Sequence, residues 1–175
     1  VDFAIDRGES LGIVGESGCG KSTLGKTLMG IHPPSGGQIV FEGNDITNMK
    51  PGASRGLRSS LQYSYQDPGA SLDPRWKIGR SLHEPLEIHT QLSREERDKR
   101  VRSILKSVGL PEGHLDHYPH EISGGQQRRV GLARILTLHP SVIILDEPTS
   151  GLDVSVQATI LNLFSDLRQE FNLTY

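Results

Sequence analysis

Apolar residues recur along this chain in distinct rhythms, and each rhythm predicts a different element. Val142-Ile143-Ile144-Leu145 is an unbroken apolar run, the pattern of a parallel strand covered on both faces. Val1, Phe3 and Ile5 alternate as in a half-buried strand. Leu11-Gly12-Ile13-Val14 reads as a strand, as does Gln38-Ile39-Val40-Phe41, bounded by Pro33-Pro34-Ser35-Gly36-Gly37 and Gly43-Asn44-Asp45. A further strand is expected from Leu61 to Gln66, with the hydroxyl of Ser64 inside it. Helical spacing begins at Lys21 and runs through Leu24 and Leu28 to Gly30, a residue type that ends helices. Val101, Ile104, Leu105 and Val108 mark the apolar face of another helix, whose mixed charges at 94–100 form its solvated side. Val130, Ala133, Ile135, Leu136 and Leu138 follow Ser123 at the same spacing. The order predicts an α/β domain over 1–175, with a strand-rich lobe of about 1–66 and 141–175 and a helical lobe of about 67–140.

Composition narrows this picture. A chain of 175 residues, 34% hydrophobic, hides about 70% of its unfolded surface, enough for one globular unit. The formal charge of -2 argues against a general nucleic-acid binder, which carries a basic field. One cysteine excludes an internal disulfide and fits a reducing cytosol. No apolar run approaches the ~20 residues that span a bilayer, and no export signal opens the chain, so a membrane role is expected to be peripheral.

The chemistry begins at Gly15-Glu16-Ser17-Gly18-Cys19-Gly20-Lys21-Ser22, which fills every fixed position of the phosphate-binding pattern G-x-x-x-x-G-K-[ST] between a strand and a helix. Glycines at 15, 18 and 20 let the backbone turn its N–H groups inward, and the positive end of the following helix adds to the anion site. Lys21 is then expected to reach the β and γ phosphates of a nucleoside triphosphate, and the Ser22 hydroxyl to ligate Mg²⁺.

Two further segments support that reading. The run at 142–145 ends in Asp146-Glu147: Asp146 is placed to hold Mg²⁺, and Glu147 to polarise an attacking water as general base. Ser123 and Gln126 carry the capping-box pattern of a helix start, and between them stand Gly124 and Gly125. Adjacent glycines weaken a helix by about 1 kcal/mol each relative to alanine, so a demand other than the cap places them there. His114, His117 and His120 recur at three-residue spacing without cysteine partners and read as loop histidines, and Trp76 reads as a packing residue, with contact to a membrane partner at the lobe junction as its alternative role.

Ile122-Ser123-Gly124-Gly125-Gln126, between the two nucleotide motifs, resembles the signature of ATP-binding cassette ATPases. The resemblance covers essentially the whole chain. It implies a P-loop NTPase fold with a mainly parallel core sheet, an antiparallel β subdomain and a helical signature subdomain. It implies that Gln66 is the Q-loop glutamine, contributing to catalysis and to the metal, that Asp153 is the D-loop aspartate, and that Thr23 joins the nucleotide-binding set. Gln66-Asp67-Pro68 with Ser71-Leu72-Asp73-Pro74-Arg75, Tyr118-Pro119-His120-Glu121 and Asp153-Val154-Ser155-Val156-Gln157-Ala158 resemble the ATP-binding subunits of bacterial oligopeptide and dipeptide importers. Ile122 and Ser64 depart from the family pattern, which has leucine and an apolar residue there.

The resemblance also implies a mechanism and partners. Two cassettes, alike or different, sandwich two ATP molecules, each held by Lys21 and Ser22 of one chain and by Ser123 and Gly125 of the other. Transmembrane permease subunits receive the motion through Gln66, and the protein sits on the inner, cytoplasmic face of the bacterial membrane. A non-transport cassette working on nucleic acid or ribosomes, and a scaffold without turnover, are the rival readings. The family's adenine-stacking aromatic and switch histidine fall outside positions 1–175, so a chain ending at Tyr175 is expected to bind ATP weakly and not to turn it over.

Overall fold

A parallel pairing of two strands, 61–64 and 142–145, organises the computed structural model, which describes residues 1–48, 55–66 and 68–175. The elements in chain order are α1 (Lys21–Leu28), β1 (Val40–Phe41), β2 (Asn44–Asp45), α2 (Arg55–Ser60), β3 (Leu61–Ser64), α3 (Ile78–His89), α4 (Arg94–Ser107), α5 (Gly124–Leu136), β4 (Val142–Leu145) and α6 (Val154–Phe171). Short 3-10 turns lie at Pro68–Ser71, Glu112–Asp116 and Pro119–Glu121. Strands β3 and β4 run parallel in the register Leu61↔Val142 to Ser64↔Leu145. Thr174 extends the pairing on the far side of β4, its carbonyl accepting from the Ile143 N–H at 2.9 Å. Tyr175 continues it outward, donating to Glu9 and accepting from Leu11, each at 2.9 Å.

These bonds correct two strand expectations. Residues 1–5 and 11–14 form no strand; of the latter, only Leu11 is tied to the sheet, through that single bond to Tyr175. Ile13 and Val14 are 47% and 93% exposed, so no apolar cover reinforces an extended backbone there. Strand β3 also stops at Ser64, two residues before Gln66. The predicted segment 38–41 shortens to Val40–Phe41, which pairs antiparallel with β2 across Glu42-Gly43. Both turn residues have positive φ, 47° and 78°, as a two-residue hairpin turn twisting with its strands requires.

The helices follow their apolar spacing closely. Ile78, Leu82 and Leu86 of α3 face Val101, Ile104 and Leu105 of α4 and Val130, Ala133 and Leu136 of α5 in one continuous core, every one at most 1% exposed. Burying each of the larger side chains contributes about 1.5–3 kcal/mol. Capping boxes start α4, where Ser93 pairs with Glu96, and α5, where Ser123 pairs with Gln126. Trp76 is half-buried and carries the Arg80 guanidinium 4.0 Å above its ring, a cation–π contact at the entry to α3.

Helix α5 and the 3-10 turn at Pro68–Ser71 meet backbone to backbone. A Cβ on Gly131 would lie 2.4 Å from the Pro68 carbonyl oxygen, so glycine is what allows the approach. That contact joins the helix beginning at Ser123 to the segment just past Gln66. Asp67, between them in sequence, lies outside the described residues.

Candidate functional site

The loop at 15–20 enters α1 through two glycines in the left-handed region, Gly18 at φ 80° and Gly20 at φ 101°. Gly20 is the N-cap of α1 and no side chain caps the helix, so the N–H groups of its first turn remain turned toward the loop. Gly15 lies under Cys19, whose sulfur would be 2.7 Å from a Cβ at position 15. Glu16 accepts from the Cys19 N–H at 3.3 Å, and Ser17 lies on the exposed outer side of the turn. The Lys21 ammonium folds back over the loop, donating to the carbonyls of Gly15 at 2.8 Å and Glu16 at 2.9 Å, with Cys19 Sγ 3.8 Å away. Thr23 is exposed one residue beyond Ser22, and its carbonyl accepts from the Thr27 hydroxyl.

Ser22 and Asp146 meet across the molecule. The Ser22 hydroxyl donates to Asp146 Oδ1 at 2.9 Å, joining two motifs 124 residues apart. The parallel register brings this about: the Asp146 N–H donates to the Ser64 carbonyl at 3.0 Å, so β4 delivers its carboxylate at the end of the sheet where α1 begins. A hydroxyl and a carboxylate side by side form a hard-oxygen donor set, the chemistry that suits Mg²⁺.

Glu147 follows in a left-handed conformation, φ 47°, which costs a non-glycine residue of order 1 kcal/mol or more. Its carbonyl accepts from the Ser150 N–H at 3.0 Å, closing a turn that holds the exposed carboxylate outward. Gln66, two residues past the end of β3, joins the same turn, donating its amide to Ser150 Oγ at 3.0 Å. Asp153 is exposed and forms the N-cap of α6 without a side-chain bond to it.

Ser123 and Gln126 are occupied with each other at the start of α5: the Ser123 N–H donates to Gln126 Oε1 at 2.8 Å and the Gln126 N–H to Ser123 Oγ at 3.3 Å. Gly124 and Gly125 are exposed, and a Cβ on either would meet nothing within 4 Å. Packing among the described residues therefore does not require either glycine. No hydrogen bond among the described residues joins 123–126 to the loop at 15–22. The histidines form ring contacts in their turns, His114 edge-on to His117 and His120 stacked on Tyr118.

The sequence reading missed Tyr63. Its hydroxyl donates to the second oxygen of Asp146, Oδ2, at 2.6 Å. Burial, then this bond to a carboxylate, raise the phenol above its ordinary range, so it stays protonated and a donor. A tyrosine in a strand ending beside an acidic tip was the available signal, because a buried phenol needs an acceptor.

Residues 1–150 match the family model described as ABC transporter. The oligopeptide transport ATP-binding protein AppF of Bacillus subtilis is 49% identical over 176 residues, covering 100% of this chain and 54% of that protein. The dipeptide transport ATP-binding protein DppF of Escherichia coli is 49% identical over 175 residues, covering 100% of this chain and 52% of its own length. The chain spans about half the length of these curated relatives. Among solved structures, cbiO1 from Clostridium perfringens, part of the ABC transporter complex cbiONQ, superposes with a TM-score of 0.88 at 34% identity, over 99% of this chain and 68% of that one. The ATP-binding cassette MJ0796, a dimer in a post-hydrolysis state bound to ADP and Pi, gives 0.84 at 30% identity, over 99% and 75%.

Proposed function

Because the chain belongs to the ABC transporter family, we propose that it binds and hydrolyses ATP to drive import of oligopeptides or dipeptides. The observation that carries this reading is the Ser22–Asp146 bond, which unites the phosphate loop with the acidic strand tip. Full-length relatives named for oligopeptide and dipeptide transport, at 49% identity, supply the solute class.

Each residue then has a task. Backbone N–H groups of 15–20 and the start of α1 receive the phosphates, and Lys21 turns from its two carbonyls to the β and γ positions. Ser22 and Asp146 would hold Mg²⁺, with Gln66 as the third proposed metal residue, and the ion would neutralise phosphate charge. Glu147 takes a proton from the attacking water, its turn fixed by Ser150 and Gln66. Ser123, Gly124, Gly125 and Gln126 serve the nucleotide of a second cassette, a reading supported by glycines that no contact among the described residues requires. Asp153 lies at the same interface. Residues 1–66 and 141–175 make the nucleotide lobe and 67–140 the signature lobe.

Permease subunits are the other partners, which puts the protein on the inner face of the membrane as a peripheral subunit. No helix among the described residues is long and apolar enough to cross a bilayer. A groove of about 280 Å³ is lined by the apolar Met29, Ile31, Pro85 and Ile88 and by the charged Arg58, Glu84 and Arg134. The test is uptake of a labelled dipeptide by proteoliposomes carrying the full-length protein, its cassette partner and the permeases. Uptake that requires ATP and fails with Asp146→Asn is expected; uptake indifferent to either would overturn the assignment.

A further inference from the structure

Strand β3 contributes a residue to the metal end of the site that neither nucleotide motif contains. We infer that Tyr63 is a positioning residue for the metal-holding carboxylate, its hydroxyl fixing Asp146 so that the opposite oxygen faces Ser22. The inference rests on the reading of Ser22 and Asp146 as metal-holding residues.

A carboxylate swings broadly about its terminal bond, and one hydrogen bond leaves much of that freedom. Asp146 has two donors, one on each oxygen: Ser22 Oγ at 2.9 Å and the Tyr63 hydroxyl at 2.6 Å. Together they define the carboxylate plane. The donation from Tyr63 is short and goes to a charged acceptor, the strong class of hydrogen bond.

Tyr63 is itself held. It is 8% exposed in β3 and registered against Ile144 of β4, two residues before Asp146. Its ring lies against Gly25 of α1, where an added Cβ would stand 3.0 Å from Tyr63 Cε2 and 3.2 Å from Ile144 Cγ2. Gly25 thus lets α1, which carries Lys21 and Ser22, lie directly on the tyrosine. The phenol is a spacer between helix and sheet as well as a donor, and its oxygen cannot move without the ring.

The test separates these two roles. Tyr63→Phe keeps the ring against Gly25 and Ile144 and removes only the hydroxyl. With the full-length protein, Mn²⁺ binding in the presence of ATP is read by electron paramagnetic resonance, and ATP binding is titrated in chelator. In Tyr63→Phe we expect Mn²⁺ affinity to fall about tenfold, the lower end for loss of an outer hydrogen-bond partner. Metal-free ATP affinity should stay unchanged, and KM for Mg²⁺ in hydrolysis should rise by the same factor. If Tyr63→Phe folds poorly, Tyr63→Met fills the space without a hydroxyl, leaves Gly25 unchanged and carries the same expectation. Mn²⁺ affinity equal to wild type, or an equal fall in metal-free ATP affinity, would overturn the inference. Asp146→Asn distinguishes the layers: if it retains Mn²⁺, the metal assignment itself fails, whereas if it loses Mn²⁺ and Tyr63→Phe does not, only the role of Tyr63 fails.

Discussion

Gln66 donates its side-chain amide to Ser150 Oγ at 3.0 Å, tying the segment that leaves β3 to the turn that presents Glu147. The two residues lie 84 positions apart, and the bond lies on the exposed rim of the sheet. Ser150→Ala should therefore loosen the turn without disturbing the core. Losing one neutral hydrogen bond is worth ~0.5–1.5 kcal/mol, so amide exchange across 147–152 should quicken about two- to tenfold. Hydrogen-exchange mass spectrometry measures this, and unchanged exchange would mean that the bond does not restrain the turn.

Lys21→Ala removes the cation folded over the phosphate loop. Hydrogen bonds to charged groups are worth ~1.5–3 kcal/mol, which corresponds to a loss of about 10–100-fold in MgATP affinity. The thermal midpoint without nucleotide should hardly change, because the described contacts of the ammonium stay within the exposed loop, at the Gly15 and Glu16 carbonyls and Cys19 Sγ. Calorimetric titration of both forms decides the matter.

Glu147→Gln preserves the side chain's shape and leaves the left-handed backbone requirement at 147 as it is. In the full-length protein, hydrolysis should fall by about 10²–10⁴-fold, the range for loss of a general base, while ATP binding survives. Hydrolysis near the wild-type rate in a single-turnover assay would remove Glu147 from that role.

Gly125→Val tests the second cassette. The added side chain enters open space in this chain, so unfolding should shift by no more than about 0.5 kcal/mol, as for an ordinary surface change. ATP-dependent pairing, followed by sedimentation, should be lost. Normal pairing would show that the glycines do not approach a partner's nucleotide.

Leu82→Ala probes the core that holds α3 against α4 and α5. Leu82 is fully buried, and truncation should cost about 2–5 kcal/mol, read as a lower urea midpoint with an unchanged slope.

How much of this was legible in the sequence depended on whether the cause was local. The apolar run at 142–145, the 101–108 face and the Ser123–Gln126 cap all appear where the spacing predicts them, because each is decided within one element. Leu11–Val14 has strand composition, yet its described pairing comes from Tyr175 at the other end of the numbering, and one bond does not make a ladder. Tyr63 looked like an ordinary strand residue until the β3–β4 register set it below Asp146. Gly131 carried no signal either: only the approach of Pro68 explains why a helix interior tolerates it. Long-range register and backbone contact leave no periodicity to read.

The grip of Lys21 on the Gly15 and Glu16 carbonyls has a consequence for selectivity. An ammonium already coordinated by two oxygens is not a bare charge awaiting any anion. Whatever enters the loop must displace those carbonyls, and the free energy gained is only the difference between its own oxygens and theirs. Adenosine has no anionic oxygen with which to win that competition. On the proposed reading of the loop as a phosphate site, that exchange favours anionic oxygens before any contact with the base is made.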